Sequence, residues 1–137
     1  MTRALLLGLA LLVGCDDGAS TDDTDVVLNF TREAATDGGS FTVSYTPTPD
    51  PIPQSDNFTL SVTVSGTGAD NTTLKWDAIM PAHGHGMNTD ATVQPNGDGT
   101  FEVDGMQFHM PGRWRMMADV TSGETTETAY FDVECCE

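Results

Sequence analysis

Residues 58–65 read FTLSVTVS, with Phe58, Leu60, Val62 and Val64 at every second position and Thr59, Ser61, Thr63 and Ser65 between them. A period of two puts the apolar set on one face of an extended chain and the hydroxyls on the other, whereas a helix would scatter both sets around its axis. β-branched residues also fit a pleated, half-buried surface. The stretch therefore reads as a strand with one face on a core and one in water, the pattern of an antiparallel sheet.

The same pattern recurs on both sides. Phe41–Tyr45 (FTVSY) alternates in the same way, and the following TPTPDPIPQS carries four prolines, at 47, 49, 51 and 53. Proline removes ladder donors and favours extended geometry, so that stretch must be a crossing or an edge. Gly66–Asn71 turns the chain, and Leu74, Trp76, Ala78 and Met80 form the next inward set. Thr89–Gln94 is a short strand joined through PNGDGT to Phe101–Val103 as a hairpin. Asn96, Asp98 and Thr100 mimic the start of a calcium loop, but the sixth-position Gly and distal Glu are missing, so a turn is expected. Met106, Phe108 and Met110 share one parity, Trp114, Met116, Ala118 and Val120 another inward row, and Ala129, Phe131 and Val133 close the series. At the other end Val26–Phe30 reads as a first strand and 31–40 as a loop or single helical turn. Helix signals are nearly absent. Seven or eight short antiparallel strands predict an all-β, immunoglobulin-like β-sandwich spanning 26–137.

Residues 1–14, MTRALLLGLALLVG, place one positive charge before an apolar run too short to span a bilayer, which fits a secretory signal. Leu12-Val13-Gly14-Cys15 resembles the bacterial lipobox, which predicts acylation at Cys15. Residues 15–25 are then the acylated Cys and a polar, acidic tether with no apolar residue larger than Ala. The expected location is the cell envelope, lipid-anchored to a membrane facing the periplasm or the exterior.

The 137 residues make one domain, and 21 acidic against 5 basic side chains give a formal charge of −16. Such a surface repels phosphate backbones and attracts cations or a basic partner. The three cysteines, Cys15, Cys135 and Cys136, form no disulfide framework, and the last two read as a frayed tail.

Chemistry concentrates between Met80 and Met110, which hold all three histidines and four of the seven methionines. In AHGHGM, histidine alternates with glycine, so the loop has little bulk and wide backbone freedom. Extended, His83 and His85 lie on one side with Cα atoms about 6.6 Å apart, and Met87 follows at the same parity. Imidazole with thioether suits copper better than calcium or magnesium. The expected metal ligands are His83, His85, Met87 and His109, with Met80, Met110 and Met117 second. Strand parity places Met106, Met110 and Met116 in the core and turns His109 and Met117 outward. The competing reading is a glycine-rich turn whose histidines face solvent. A blue-copper centre lacks its cysteine, and no HExxH, nucleophile elbow or phosphate loop is present; three histidines leave a hydrolytic zinc site as a third reading, but a binding protein, not an enzyme, is expected.

These residues carry a resemblance. IMPAHGHGM (79–87) and GDGTFEVDGMQFHMPGRWRM (97–116) resemble the YtkA-like domain, a relative of the FixH proteins, over residues 40 to 133. The resemblance implies an immunoglobulin-like sandwich outside the cytoplasm and an association with copper handling or copper-oxidase assembly in some relatives. FixH proteins carry a membrane-spanning helix that this sequence lacks, and the resemblance gives the Cys-Cys tail no role. The expectation is a copper carrier or buffer serving a copper-dependent protein. The alternative is a metal-free interaction module that docks a partner through its acidic surface.

Overall fold

The computed structural model of the protein describes residues 26–136. The expected signal peptide, the acylation at Cys15 and the tether up to residue 25 lie outside the described residues.

Nine strands form two sheets: β1 (Glu33–Ala35), β2 (Thr42–Thr48), β3 (Phe58–Ser65), β4 (Thr73–Met80), β5 (His85–Gly86), β6 (Thr92–Pro95), β7 (Thr100–Met106), β8 (Gly112–Ser122) and β9 (Thr125–Cys135). One sheet runs β1-β2-β3-β7-β6 and the other β5-β4-β8-β9. All strand pairings within them are antiparallel. The expected all-β sandwich is what forms. A 3₁₀ turn at Ala69–Asn71 is the only helical element among the described residues.

The alternating residues face each other across the gap. Leu60, Val62 and Val64 of β3 and Phe101 and Val103 of β7 meet Trp76 and Ala78 of β4, Trp114, Met116 and Ala118 of β8 and Phe131 of β9, all buried. Removing such side chains from water stabilises the fold by about 1.5–3 kcal/mol each. Two aromatic groups anchor the interior. Tyr45 meets Phe131 edge to face at 5.1 Å, and Phe131 stacks on Trp76 at 5.7 Å. Nearer one end, Phe108 stacks on Trp114 at 4.8 Å and meets Phe58 edge to face at 5.0 Å. That end gathers the start of β3, the last residues of β4 and β7 and the start of β8, because antiparallel pairing sets Phe58 opposite Met106 and Ile79 opposite Arg115.

Three expectations fail. Val26–Phe30 is not a strand, and Val26, Val27, Leu28 and Phe30 are all exposed. Its runs of adjacent apolar residues cannot all face one core, and Asn29 is tied down by the Asp132 carboxylate and backbone, at 2.8 and 2.7 Å, instead of by a ladder. The first strand lies where a loop or helical turn was expected, at Glu33–Ala35, held by pairing with β2. The C-terminal cysteines are not a frayed tail: Cys135 closes β9 as a buried core residue opposite Gly112, and its sulfur is joined to that of Cys136.

The outer side of the second sheet carries a buried charge. Asp132 is 1% exposed and is bonded by the guanidinium groups of Arg113 at 2.8 Å and Arg115 at 3.1 Å. Burial alone would push its carboxyl up, but hydrogen bonds from the Asn29 amide, Arg115 and Arg113 hold it below the usual carboxylate range. On the edge of the same sheet, the hydroxyls of Ser40 and Thr36 hold the Glu127 carboxyl low.

Candidate metal centre

Strand β4 runs inward-facing side chains up to Met80, and Pro81, which has no N–H to offer a ladder, ends it. The chain reverses over 81–84: the amides of His83 and Gly84 both donate to the Met80 carbonyl, at 3.1 and 3.0 Å, and Gly84 takes the left-handed conformation at φ 65°. It returns as β5, pairing His85 with Met80 and Gly86 with Ile79. The HGHG segment is thus an ordered hairpin turn, not the freely wrapping extended loop expected from its glycines. Residues opposed in a ladder share a face. Met80 is buried, so His85 lies on the inner face at the rim, half-buried beside the core.

His109 arrives from the opposite direction. β7 stops at Met106, and residues 107–111 belong to neither β7 nor β8. The proline-rich crossing holds this connection. The Ser55 amide donates to the Phe108 carbonyl at 2.9 Å, and the Gln107 side chain donates to the Ser55 carbonyl at 2.9 Å. Strand parity, which predicted an outward His109, therefore lapses. The ring instead turns against Trp114 at 5.3 Å, and its Nδ1 is buried with no hydrogen-bond partner.

The three imidazoles, two from the β4–β5 turn and one from 24 residues further on, form a row with His85 in the middle. Ring centroids stand 5.7 Å apart for His83–His85 and 5.1 Å for His85–His109. Two imidazoles sharing one ion at about 2.0 Å each would have centroids roughly 5 Å apart in tetrahedral geometry. The His85–His109 pair meets that spacing, and His83, exposed on the turn, is slightly beyond it. His85 Nδ1 lies 3.0 Å from the Gly86 carbonyl. The tautomer that donates there leaves Nε2 as the free ligand atom, a common arrangement for metal-binding histidine. Among the described residues no group of three or more His, Cys, Asp or Glu is already positioned to hold a metal ion.

The methionines divide. Met87, two residues beyond His85, and Met110, next to His109, are half-buried and packed against the core. Met80 is a core residue, 2% exposed, and fills the space where a side chain at Gly112 would stand. Met106 and Met116 are fully buried, as parity required. Met117 sits on the outer side of the second sheet between Asp77 and Tyr130, away from the histidines. The residue that sequence reasoning left in the core without a further role is Trp114. Both His85 and His109 lean on its ring, and its Nε1 donates to the Met110 carbonyl at 2.9 Å. Its place three residues after Pro111, in the MPGRW stretch of 110–114, was the available signal. A cavity of about 570 Å³ lies elsewhere, lined by Arg32, Tyr45, Ile52, Glu134 and Cys136 among others.

A family model described as YtkA-like matches residues 33–119, a span that contains every histidine, Met87, Met110 and Trp114. Among curated proteins, none matches the chain.

Proposed function

The chain belongs to the YtkA-like family, and on that footing we propose that it binds copper as a carrier or buffer in the cell envelope, through His85 and His109, with His83 and Met87 completing the site. The observation that carries the reading is the His109 ring: its Nδ1 is buried without a partner while the ring stands 5.1 Å from His85. A buried polar atom left unsatisfied costs about 1–3 kcal/mol, and a metal ion shared with His85 supplies the missing bond. Thioethers are soft ligands and imidazoles accept either copper oxidation state, so the donor set fits copper better than hard cations. Copper supplies an exchangeable cargo. The protein's own part is to hold two imidazoles from different connections, β4–β5 and β7–β8, at one rim and to shield them on the core side. Attachment through an acylated Cys15 belongs to the same proposal and rests on the LVGC sequence.

The test is a titration with Cu(I) against a competing chelator, with Zn(II) in parallel, on the wild type and on the His83→Ala/His85→Ala/His109→Ala variant. Binding that the variant retains is taken as background and subtracted. One tight equivalent lost with the histidines is expected, and its affinity should fall on acidification, since only neutral imidazole coordinates. Metal content at background level in the wild type, or binding indifferent to acidification, would overturn the proposal.

One observation favours the metal-free docking module. Arg32, Arg113 and Arg115 are already engaged by Asp50 and Asp132, so the acidic surface meets little opposing charge. Under that reading the triple variant keeps its partner and its fold, and loses no metal.

A further inference from the structure

We propose, building on the copper reading, that the site selects the cuprous ion over divalent metals and that Trp114 is the residue that makes it selective. The ring centroids of His85, His109 and Trp114 form a nearly equilateral triangle, with sides of 5.1 Å between the imidazoles, 5.3 Å from His109 to the indole and 5.9 Å from His85 to it. Both imidazoles cross the indole plane steeply, at 65° and 73°. An ion shared by the two histidines would have the indole as its nearest aromatic wall, and a cation over that ring within about 6 Å of its centroid is attracted by the ring quadrupole.

The wall is fixed. Trp114 is fully buried, backed by Phe108 in a stack with an 8° interplanar angle, and held by its bond to the Met110 carbonyl. It cannot swing aside to admit water without opening the aromatic core. Along this side the ion meets aromatic carbon, and the donors beyond the imidazoles are thioethers. Zn(II) requires four ligands, and Cu(II) a tetragonal set of nitrogen and oxygen. Desolvation scales with the square of the charge, so a dry wall costs a dication about four times what it costs a monovalent ion. A soft monovalent ion with few ligands loses least there and gains the π attraction.

The experiment uses the full chain in detergent and measures Cu(I), Cu(II) and Zn(II) affinities for the wild type and Trp114→Phe, each corrected with the triple-histidine variant. Phenylalanine keeps the stack on Phe108 but offers a weaker π face. The expected result is a roughly tenfold loss of Cu(I) affinity with Cu(II) and Zn(II) changed less than about twofold. The chain has two tryptophans, so the emission quenched by Cu(I) in the wild type should vanish in Trp114→Phe, which retains only Trp76. Should Trp114→Phe prove poorly folded, the wild-type quenching and the wild-type Cu(I)-to-Zn(II) preference still decide. Histidine-dependent binding with no cuprous preference, equal losses for all three metals, or unchanged emission would overturn this inference and leave the copper reading standing. No binding of any metal would end both.

Discussion

At the residue scale the most consequential charge is Asp132. Its carboxylate is buried, yet it accepts from Arg113, Arg115 and the Asn29 amide, so one side chain joins β8, β9 and the segment ahead of β1. Breaking a buried ion pair by removing one partner is strongly destabilising because the other charge is left stranded. The two guanidiniums here retain partial access to solvent, which lowers the cost, and Asp132→Asn is expected to lose about 2 kcal/mol in urea denaturation. A change below about 0.5 kcal/mol, the usual range of surface substitutions, would show that water replaces the pair. The pH dependence follows from the sign of the shift. The folded carboxyl titrates below its unfolded value of about 3.9, so its contribution is fully present above that value and is lost as pH falls through the folded one. Stability should therefore drop steeply below about pH 4, and Asp132→Asn should flatten that part of the profile. Glu127, whose carboxyl is held low by Ser40 and Thr36, adds to the same acid loss.

At the scale of elements, the β4–β5 hairpin and the β7–β8 connection position the histidines, and three glycines in or beside them differ in what a side chain would meet. Gly84 sits at φ 65° with open space around it, so Gly84→Ala meets backbone strain alone, about 1 kcal/mol. Gly112, at φ 127°, would bring a Cβ to 2.6 Å from the Met80 methyl. Gly112→Ala combines strain with overpacking, is expected to cost about 1–3 kcal/mol, and should weaken metal binding because Met80 lies across the ladder from His85. Gly86→Ala is the control: its Cβ would meet only the Ala78 carbonyl at 3.4 Å, an ordinary contact, and stability should stay within about 0.5 kcal/mol of the wild type. Thermal melts of the three variants check the order, and a Gly112→Ala variant as stable as Gly86→Ala would refute the packing account.

At the scale of the whole molecule, the balance of charge matters more than any single pair. With a formal charge of −16 and three of the arginines already neutralised by Asp50 and Asp132, like charges repel across the surface of the sandwich. Screening shortens the reach of that repulsion from about 30 Å at 0.01 M salt to about 8 Å at 0.15 M. The melting temperature is expected to rise by a few degrees over that interval, and a fall would mean that ion pairs outweigh repulsion. The long exposed edge of β9 is covered from within the chain. Asp37 and Asn29 bond to Thr128 and Asp132, which blocks the middle of that edge from pairing with another molecule.

The sequence by itself determined the sandwich and most of its core, because a period-two pattern such as Phe58–Ser65 assigns each side chain to a face before any partner strand is known. It also marked the histidines and the methionines flanking them, since those residue types carry their chemistry wherever they stand. It misjudged Val26–Phe30, Glu33–Ala35 and Cys135, where the deciding bonds come from β2, Asp132 and β8, seven to over a hundred residues away. It set His109 outward, because parity counts only while a strand continues and β7 ends at Met106. Only the tertiary structure could bring His109 to His85 and put Trp114 beneath both. Those contacts depend on how two connections from different strand pairs meet at one rim of the sandwich, a matter of sheet closure that no local spacing encodes.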